Sequence, residues 1–394
     1  MTASLYIHVP FCSQKCDYCD FYSIPVASNL AAQTLMDSYL EAVLGDIEDQ
    51  IDLFNVDNIP SVYIGGGTPS VLGADRVTRL LTFIKSRLTG MDSRPVEFTV
   101  EANPESTDEA FLRACFEGGV SRISLGVQSF CEATRKAVRR TGSRDQIGKA
   151  LALVTRYFPE GFSADLVTGL PFQSEAVIME DIKTLLSFHP AHVSLYSLIL
   201  EPQTPLGKAV KQGAVSLPPP DEADQLWITG RGLLESSGFT QYEVSNFCLP
   251  NKTSAHNIRY WRMENWLGAG PAASGTIIND ETGTGKRFTY PVDIESYLKM
   301  TSPRINHAIT EELDREDLIK ETLLMGFRYC EGPDNVLFQK RFSRKIEDVI
   351  PQTIALWNKR SFFQTTQTLK PSKQGLLFVN GFLRDAFEEL GMRS

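Results

Sequence analysis

The chain lacks the features that membrane, secreted and nucleic-acid-binding proteins usually carry. None of its apolar runs reaches the roughly 18 residues that a bilayer-spanning helix needs. The first twenty residues lack the charged start, apolar middle and small-residue cleavage site of a secretory signal. There is no block of Lys or Arg, and the net charge is -9, which argues against a general nucleic-acid or acidic-lipid surface. These absences predict a cytoplasmic protein that starts near Met1, has no transmembrane segment and has no nucleic-acid partner.

Cysteine is also scarce, but it is concentrated. Of seven cysteines, Cys12, Cys16 and Cys19 lie within eight residues, in the spacing Cys-x3-Cys-x2-Cys. An odd number of cysteines in a reducing compartment argues against a disulfide framework. Three thiolates can hold three irons of a 4Fe–4S cubane and leave the fourth iron open to a small molecule. The alternative is zinc, which normally takes four ligands, and the nearby candidate for a fourth is His8.

From residue 5 to about residue 200, short apolar runs alternate with amphipathic stretches. The runs are rich in Val, Ile and aromatic residues, as buried parallel strands are. The stretches at 34–54 and 75–88 have the length that a helical βαβ crossover needs. Strands are therefore predicted at 5–10, 61–64, 96–100, 122–126, 162–167 and 192–199. Six such β/α units predict an incomplete, TIM-like (β/α)6 barrel, whose chemistry collects where strands end.

Unusual residues follow these strands at the same end. Cys12 follows the first strand, 65–68 (GGGT) the second, Glu101 the third, Gln128 the fourth and Asp165 the fifth, while Tyr196 lies on the sixth. Because the carboxyl ends of parallel strands meet on one face of a barrel, this placement predicts a single active face.

Beyond residue 215 the alternation stops. The segment 216–220 (SLPPP) introduces a helix near 221–237, which Gly238 closes, and 239–290 is predicted to hold strands and loops. Helices are predicted at 311–329 and 345–358, followed by a turn at Lys370 and Pro371 and a last amphipathic helix. The predicted parts are a barrel at 1–215, a mixed α/β extension at 216–300, and a mostly helical, winged-helix-like domain at 301–394.

Several motifs together resemble the radical S-adenosylmethionine superfamily. They are 6–12 (YIHVPFC), 65–70 (GGGTPS), 101–104 (EANP), 124–130 (SLGVQSF) and 165–171 (DLVTGLP). They look like the branch that contains oxygen-independent coproporphyrinogen III dehydrogenase and a related family of heme chaperones. The resemblance runs over nearly the whole chain in motif order. It implies a 4Fe–4S cluster, S-adenosylmethionine bound at the open iron, and an electron donor.

The resemblance also implies roles for single residues. It assigns Gly66, Gly67 and Thr68 to the methionine moiety, Glu101 to its ammonium group, Arg140 to its carboxylate, Gln128 and Asp165 to the ribose hydroxyls, and Tyr6 and Tyr18 to the surroundings of the cluster or of S-adenosylmethionine. These residue types suit the parts: glycine lets a ligand approach the main chain, a guanidinium fork matches a carboxylate, and acidic side chains commonly bind ribose.

Two absences separate the two families of this branch. The dehydrogenase continues its cluster motif to Cys-x3-Cys-x2-Cys-x-Cys after a substantial N-terminal arm, whereas here Phe21 stands at that position and eleven residues precede Cys12. Both absences favour the chaperone family and leave the dehydrogenase as the alternative. The resemblance therefore does not settle whether the chain is an enzyme.

A positive feature is 256–261 (HNIRYW), which is similar to the heme motif of the chaperone family. Imidazole is a standard axial ligand of heme iron, so the resemblance implies heme binding at His256 and transfer to a heme-accepting protein. On the residues alone, a hydrogen-bonded histidine in a Gly-rich region is the simpler interpretation. Ala255 and 271–274 (PAAS) depart from the usual family pattern, which has arginine and then Ala-His-Ser. Four cysteines lie outside the cluster motif, and Cys248, eight residues before His256, is the one worth testing as a heme contact.

Overall fold

The structure is a computed structural model that describes residues 1–89, 91, 97–365 and 368–391. Its strands, in chain order, are β1 (Ser4–Val9), β2 (Phe11–Cys12), β3 (Ile24–Pro25), β4 (Ser61–Gly66), β5 (Glu97–Ala102), β6 (Arg122–Gln128), β7 (Phe162–Thr168), β8 (His192–Ser197), β9 (Thr240–Gln241), β10 (Asn246–Cys248), β11 (Trp266–Ala269), β12 (Ser274–Asn279), β13 (Thr284–Thr289), β14 (Ile309–Leu313), β15 (Phe363–Thr365) and β16 (Thr368–Pro371).

The helices alternate with the strands through the first half of the chain. They are α1 (Leu30–Leu53), α2 (Ala74–Leu88), α3 (Glu109–Glu117), α4 (Glu132–Ala137), α5 (Arg144–Tyr157), α6 (Glu175–Leu186), α7 (Pro205–Lys211), α8 (Pro220–Ser236), α9 (Ala255–Trp261), α10 (Ile294–Lys299), α11 (Arg315–Gly326), α12 (Asn335–Phe342), α13 (Ile346–Val349), α14 (Pro351–Lys359), α15 (Lys373–Leu377) and α16 (Val379–Glu389), with short 3-10 turns at Pro69–Leu72, Pro104–Ser106 and Arg304–His307. None of the helices in the described ranges is both long and apolar enough to cross a bilayer.

The main sheet contains the predicted parallel strands. Strands β1, β4, β5, β6, β7 and β8 pair in that order, all parallel, with helices in the connections. This arrangement confirms the partial (β/α)6 barrel, and a strand is present at each predicted place, although Pro10 and residues 198–199 lie beyond the strand ends and Val96 lies outside the described residues. Strand β11 adds a further parallel strand beside β1, and antiparallel strands extend the sheet beyond β11 and β8.

Side chains alternate along the barrel strands between an apolar outer face and a polar inner face. On β1, Leu5, Ile7 and Val9 belong to the main hydrophobic core, which also contains residues of the surrounding helices. The intervening Tyr6 and His8 carry polar atoms to the other face, because successive strand residues point to opposite sides. The same alternation recurs on the neighbouring strands: Tyr63 on β4, Thr99 and Glu101 on β5, Ser124 on β6, Asp165 on β7, and Ser194 and Tyr196 on β8. The inner face of the barrel is therefore lined by hydroxyl, carboxyl and imidazole groups, which can form hydrogen bonds to a ligand.

The C-terminal region is mostly helical and has its own aromatic core. Phe327, Trp357, Phe362 and Phe382 pack in it, and the Phe362 and Phe382 rings stack with centroids 4.3 Å apart. Aromatic pairs of this kind contribute beyond the area that they bury. The small hairpin of β15 and β16 lies beside these helices and completes the winged-helix-like region.

Three boundaries in the C-terminal half differ from the sequence-based prediction. Residues 311–313, predicted as helix, belong to β14, where Glu311 and Glu312 pair across the sheet with Arg287 and Lys286. Opposite charges on facing strand positions stabilise such a pairing, and here it overrides helix propensity. The helix predicted at 345–358 is two helices, because Pro351 begins a new one. The turn predicted at Lys370 and Pro371 was wrong, since both residues lie in β16.

A buried carboxylate joins helix α1 to the segment beyond the barrel. Asp46 is fully buried and accepts hydrogen bonds from the Tyr290 hydroxyl, the Tyr297 hydroxyl at 2.7 Å, the Gln50 amide at 3.0 Å and the Gly270 N–H at 3.3 Å. A buried carboxylate is tolerated only when its oxygens are satisfied in this way. The contacts fix the Gly270 and Tyr290 segments against the barrel.

Replacing Asp46 by Ala is expected to lower the free energy of unfolding by at least about 1.5–3 kcal/mol, because two buried hydroxyls lose their charged acceptor. Urea denaturation measures the change. The control is Glu48→Ala on the same helix, whose exposed ion pair with Arg87 is expected to contribute about 0–1 kcal/mol. Equal losses for the two variants would show that Asp46 is not an anchor.

Candidate functional site

The cysteine loop is fixed at the carboxyl end of the barrel. Cys12 ends β2, which pairs with β3 on the far side of the loop. Between them, the Cys19 N–H donates to the Cys16 carbonyl at 3.2 Å. Asp17 ties the loop to other elements, because its N–H donates to the Val138 carbonyl at 3.0 Å and its carbonyl accepts from the Leu206 N–H at 2.9 Å. The loop therefore has a defined shape supported from outside.

The three thiols are close enough to influence one another. Burial raises the pKa of Cys12, with Cys16 adding to the effect, and burial raises the pKa of Cys19 to about 11, with Cys16 and Cys12 adding to it. Within the described ranges, no three His, Cys, Asp or Glu side chains converge on one point that would hold a single ion. A cubane takes each thiolate at a different iron, and Cys12, Cys16 and Cys19 supply three thiols in one loop. The cysteines thus fit a 4Fe–4S cluster in chemistry.

Polar groups accompany two of the sulfur atoms. The Arg140 Nη1 donates to the Cys16 Sγ at 3.4 Å, and the Thr68 hydroxyl lies 3.4 Å from the Cys12 Sγ. Metal binding requires deprotonated sulfur, and a positive charge beside the sulfur favours that form. Arg140 therefore places a positive charge beside the Cys16 sulfur.

One buried nitrogen of the Arg140 guanidinium has no hydrogen-bond partner among the described residues. Its Nη2 donates to the Asn103 side-chain oxygen at 2.7 Å and to the Gly126 carbonyl. Its Nε is buried and, among the described residues, has no hydrogen-bond partner. A buried N–H without a partner is costly, which marks this atom as the place for an acceptor from outside. The guanidinium fits the carboxylate that the resemblance assigns to it.

Two carboxyl groups lie together on the inner face. Glu101 accepts from the Tyr63 hydroxyl at 2.6 Å and from the Gly66 N–H at 3.1 Å. Burial, helped by the charge of Asp165, raises the pKa of Glu101 to about 7. Burial likewise raises the pKa of Asp165 to about 6, although Ser124 donates to its carboxylate at 3.2 Å. A cation bound here would lower both pKa values, so the pair fits a ligand that carries an ammonium group.

The glycines of 65–68 have a packing reason of their own. Gly66 adopts a φ of +102°, and a Cβ there would lie 2.4 Å from the His8 ring. A Cβ on Gly67 would lie 2.6 Å from the Val9 and Phe11 carbonyl oxygens. These positions therefore require glycine before any ligand is considered. Thr68, in contrast, is buried beside Cys12 and accepts from the Asn103 amide at 2.8 Å.

The three remaining residues assigned to this end differ in their surroundings. The Tyr6 hydroxyl donates to His8 Nδ1 at 2.9 Å, and His8 Nε2 donates to the Tyr22 carbonyl at 2.9 Å, so Tyr6 is linked to the cysteine loop. Tyr18 packs against an apolar cluster formed by Val138, Val167, Leu170 and Leu206. Gln128 ends β6 after an irregularity in the strand and has a φ of +69°.

Sequence reasoning missed several residues of this face. Asn103 bridges Thr68 and Arg140, Tyr63 holds Glu101, and a Cβ on Gly126 would lie 2.8 Å from the Asn103 side chain and 3.1 Å from Arg140 Nη2. Asn103 and Gly126 stand inside the EANP and SLGVQSF motifs, which was a usable signal. Tyr63 lies between apolar neighbours on a strand, so the sequence around it gives no signal of a role in the site.

The structure does not place His256 with these residues. It lies on α9, although strands and loops were predicted there, because Ser254 caps a helix by accepting from the Asn257 N–H. His256 contacts Ser61, the first residue of β4, at the amino end of the barrel. The cysteines lie at the carboxyl end, so the two candidate sites occupy opposite ends of the same barrel.

The hydrogen bonds of His256 define its tautomer. Its Nδ1 lies 2.9 Å from the Ser61 hydroxyl, which in turn donates to the Ser4 hydroxyl at 2.9 Å. Nδ1 must therefore carry the proton, and Nε2 keeps its lone pair. Nε2 is buried, and no described group hydrogen-bonds to it. Burial lowers the pKa of His256 to about 3, so the imidazole is neutral near pH 7 and can serve as a ligand.

Aromatic rings surround the imidazole. The Tyr63 ring lies 5.1 Å and the Tyr260 ring 4.9 Å from it, measured between centroids. Trp261 packs instead in a small cluster with Cys248, Tyr242 and Tyr329. Cys248 is therefore next to the motif helix, within apolar packing.

The fold and the cysteine loop define the class of protein. The family model described as the Radical SAM superfamily matches residues 6–185. The solved structure of coproporphyrinogen III oxidase (HemN) from Escherichia coli is similar in fold, with a TM-score of 0.81 at 20% identity over 98% of this chain and 89% of that chain. The chain has the fold of a radical SAM protein.

Sequence relatives narrow this class. The heme chaperone HemW of Lactococcus lactis is 33% identical, over 96% of this chain and 95% of that protein. The heme chaperone HemW of Bacillus subtilis is 30% identical, over 96% of this chain and 97% of that protein. The chain belongs to the HemW family of the radical SAM superfamily, which confirms the resemblance found in its motifs.

The raised pKa of Glu101 predicts how stability depends on pH. The folded chain holds a proton on this carboxyl up to a pH of about 7, whereas the unfolded chain releases it near the usual 4.5. The stabilisation that comes from this extra bound proton is complete below pH 4.5, the pKa of Glu101 in the unfolded chain. It is lost as the pH rises from about 4.5 to about 7. Glu101→Gln should therefore flatten the fall in melting temperature between about pH 4.5 and 7. The exposed Glu132→Gln is the control, and an unchanged slope in Glu101→Gln would contradict the assignment.

Proposed function

We propose that the chain is a cytoplasmic heme chaperone. It holds a 4Fe–4S cluster on Cys12, Cys16 and Cys19, binds S-adenosylmethionine beside the cluster, and passes heme from a site at His256 to a heme-accepting protein. An electron donor is its second partner, and no nucleic acid takes part. The observation that carries the heme assignment is the neutral imidazole of His256, whose Nε2 keeps a free lone pair within a motif of this family.

Different residues at the carboxyl end of the barrel bind different parts of S-adenosylmethionine. The Arg140 Nε offers a donor to the ligand carboxylate, and the Glu101 carboxylate attracts its ammonium group. Asp165 and Gln128 are assigned to the ribose hydroxyls. Gly126 keeps the space beside Asn103 and Arg140 open, since a Cβ there would collide with both. When bound, the cluster supplies an open iron and an electron-transfer centre.

The division of the chain follows from this proposal. Residues 1–215 carry the cluster and S-adenosylmethionine, 216–300 carry the heme motif, and 301–394 form the helical C-terminal part. Phe21 supports the chaperone over a coproporphyrinogen III dehydrogenase, because an exposed phenyl ring stands where the dehydrogenase motif has its fourth cysteine.

Arg140→Gln is expected to bind S-adenosylmethionine about ten- to a hundred-fold more weakly, because a charge-assisted hydrogen bond is lost. Isothermal titration of the anaerobically reconstituted protein measures the affinity. Iron and sulfide content should stay near four of each per chain, whereas Cys12→Ala should lose both. Arg144→Gln, which removes an exposed guanidinium, is the control. Unchanged affinity in Arg140→Gln would remove Arg140 from the site.

His256→Ala is expected to abolish or strongly shift the Soret band that forms on heme titration, because the axial imidazole is gone. The exposed His307→Ala is the matched control and should bind heme like the unaltered chain. Cluster content should be unchanged in both, since the two sites use different residues. Unaltered heme binding in His256→Ala, together with conversion of coproporphyrinogen III, would replace the chaperone by the dehydrogenase.

A further inference from the structure

Helix α9, which carries His256, is held at its start by one carboxylate. Glu97 accepts from the Ser254 hydroxyl at 2.8 Å, from the Ala255 N–H at 3.1 Å and from the His256 N–H at 3.1 Å. Glu97 is the first residue of β5 and is buried. Its charge also suits the positive end of the helix, where the backbone N–H groups lack partners. The helix is therefore fastened to a barrel strand through its first turn.

A buried arginine completes the contact. Arg122, the first residue of the neighbouring β6, donates from Nε to Glu97 at 3.0 Å. Its Nη2 donates to the Lys252 carbonyl at 3.0 Å and to the Thr253 carbonyl at 2.9 Å, just before the helix. Arg122 thus neutralises Glu97 and hydrogen-bonds to the backbone just before α9. We name Glu97 and Arg122 together the clamp.

His256 itself is closed to solvent. The residue is 1% exposed, its Nδ1 is hydrogen-bonded to the Ser61 hydroxyl, and its Nε2 is buried without a hydrogen-bond partner among the described residues. A porphyrin is a wide, flat ring, and its iron can meet Nε2 only if one side of the imidazole is uncovered. In the conformation described here Nε2 is buried. Ligation therefore requires the packing around the His256 imidazole to open.

We propose that Glu97 and Arg122 are positioning residues that hold the His256 helix shut and that heme uptake proceeds through release of this clamp. The proposal rests on the proposed function, since it concerns access to the same imidazole. A site that is open for only a fraction of the time binds its ligand more weakly and more slowly by that fraction. Loosening the clamp should accordingly speed the association of heme.

The test uses stopped-flow association of heme with the full-length chain. Ser254→Ala removes the helix cap and one bond to Glu97 and should raise the association rate about fivefold. Glu97→Gln keeps the shape but removes the charge and should raise it about tenfold. The control is Ser143→Ala, which removes the equivalent cap from α5, far along the chain from α9, and should leave the rate unchanged.

Hydrogen exchange of the α9 amides shows whether each variant loosens the helix, and Ser254→Ala serves if Glu97→Gln does not fold. Faster exchange at α9 with faster heme association supports the clamp. Faster exchange with an unchanged rate overturns it, provided that His256→Ala still loses heme. If His256→Ala binds heme like the unaltered chain, the proposed function fails and the clamp falls with it.

Discussion

The alternation of apolar and polar side chains on the barrel strands is the constraint on which the rest of this structure depends. The apolar set, exemplified by Ile7 on β1, packs under the helices and supplies the hydrophobic free energy of the fold. The polar side chains then face the inside of the barrel, because successive strand residues point to opposite sides of the sheet. Parallel strands that are buried on both faces are usually apolar throughout. A polar inner face is therefore a departure that stability alone does not require.

The inner face connects two ends with different properties. At the carboxyl end, Arg140 and Thr68 accompany sulfur atoms, and Glu101 lies with Asp165. At the amino end, His256 contacts Ser61, the first residue of β4. Tyr63 lies between them: its hydroxyl donates to Glu101 at 2.6 Å, and its ring lies 5.1 Å from the His256 ring. The two candidate sites are thus separate in their residues and adjacent through one side chain.

Much of this could be read from the sequence, and the exceptions have physical causes. The barrel strands were predictable because buried strands leave short apolar runs, and the cysteine loop because its Cys-x3-Cys-x2-Cys spacing stands out in the sequence. The strand at Glu311 could not be read, since its pairing with Arg287 becomes visible only when the hairpin is folded. Glu97 gave no signal either, because its partners lie 25 and about 158 residues further along the chain.

The pairing of Glu97 with Arg122 has a consequence for how this chain can vary. Removing either member alone leaves a buried charge without its partner. The two positions are therefore epistatic: the cost of a change at one depends on which residue stands at the other. Among related chains they should differ as a pair, and the sequence preceding the histidine motif should differ with them.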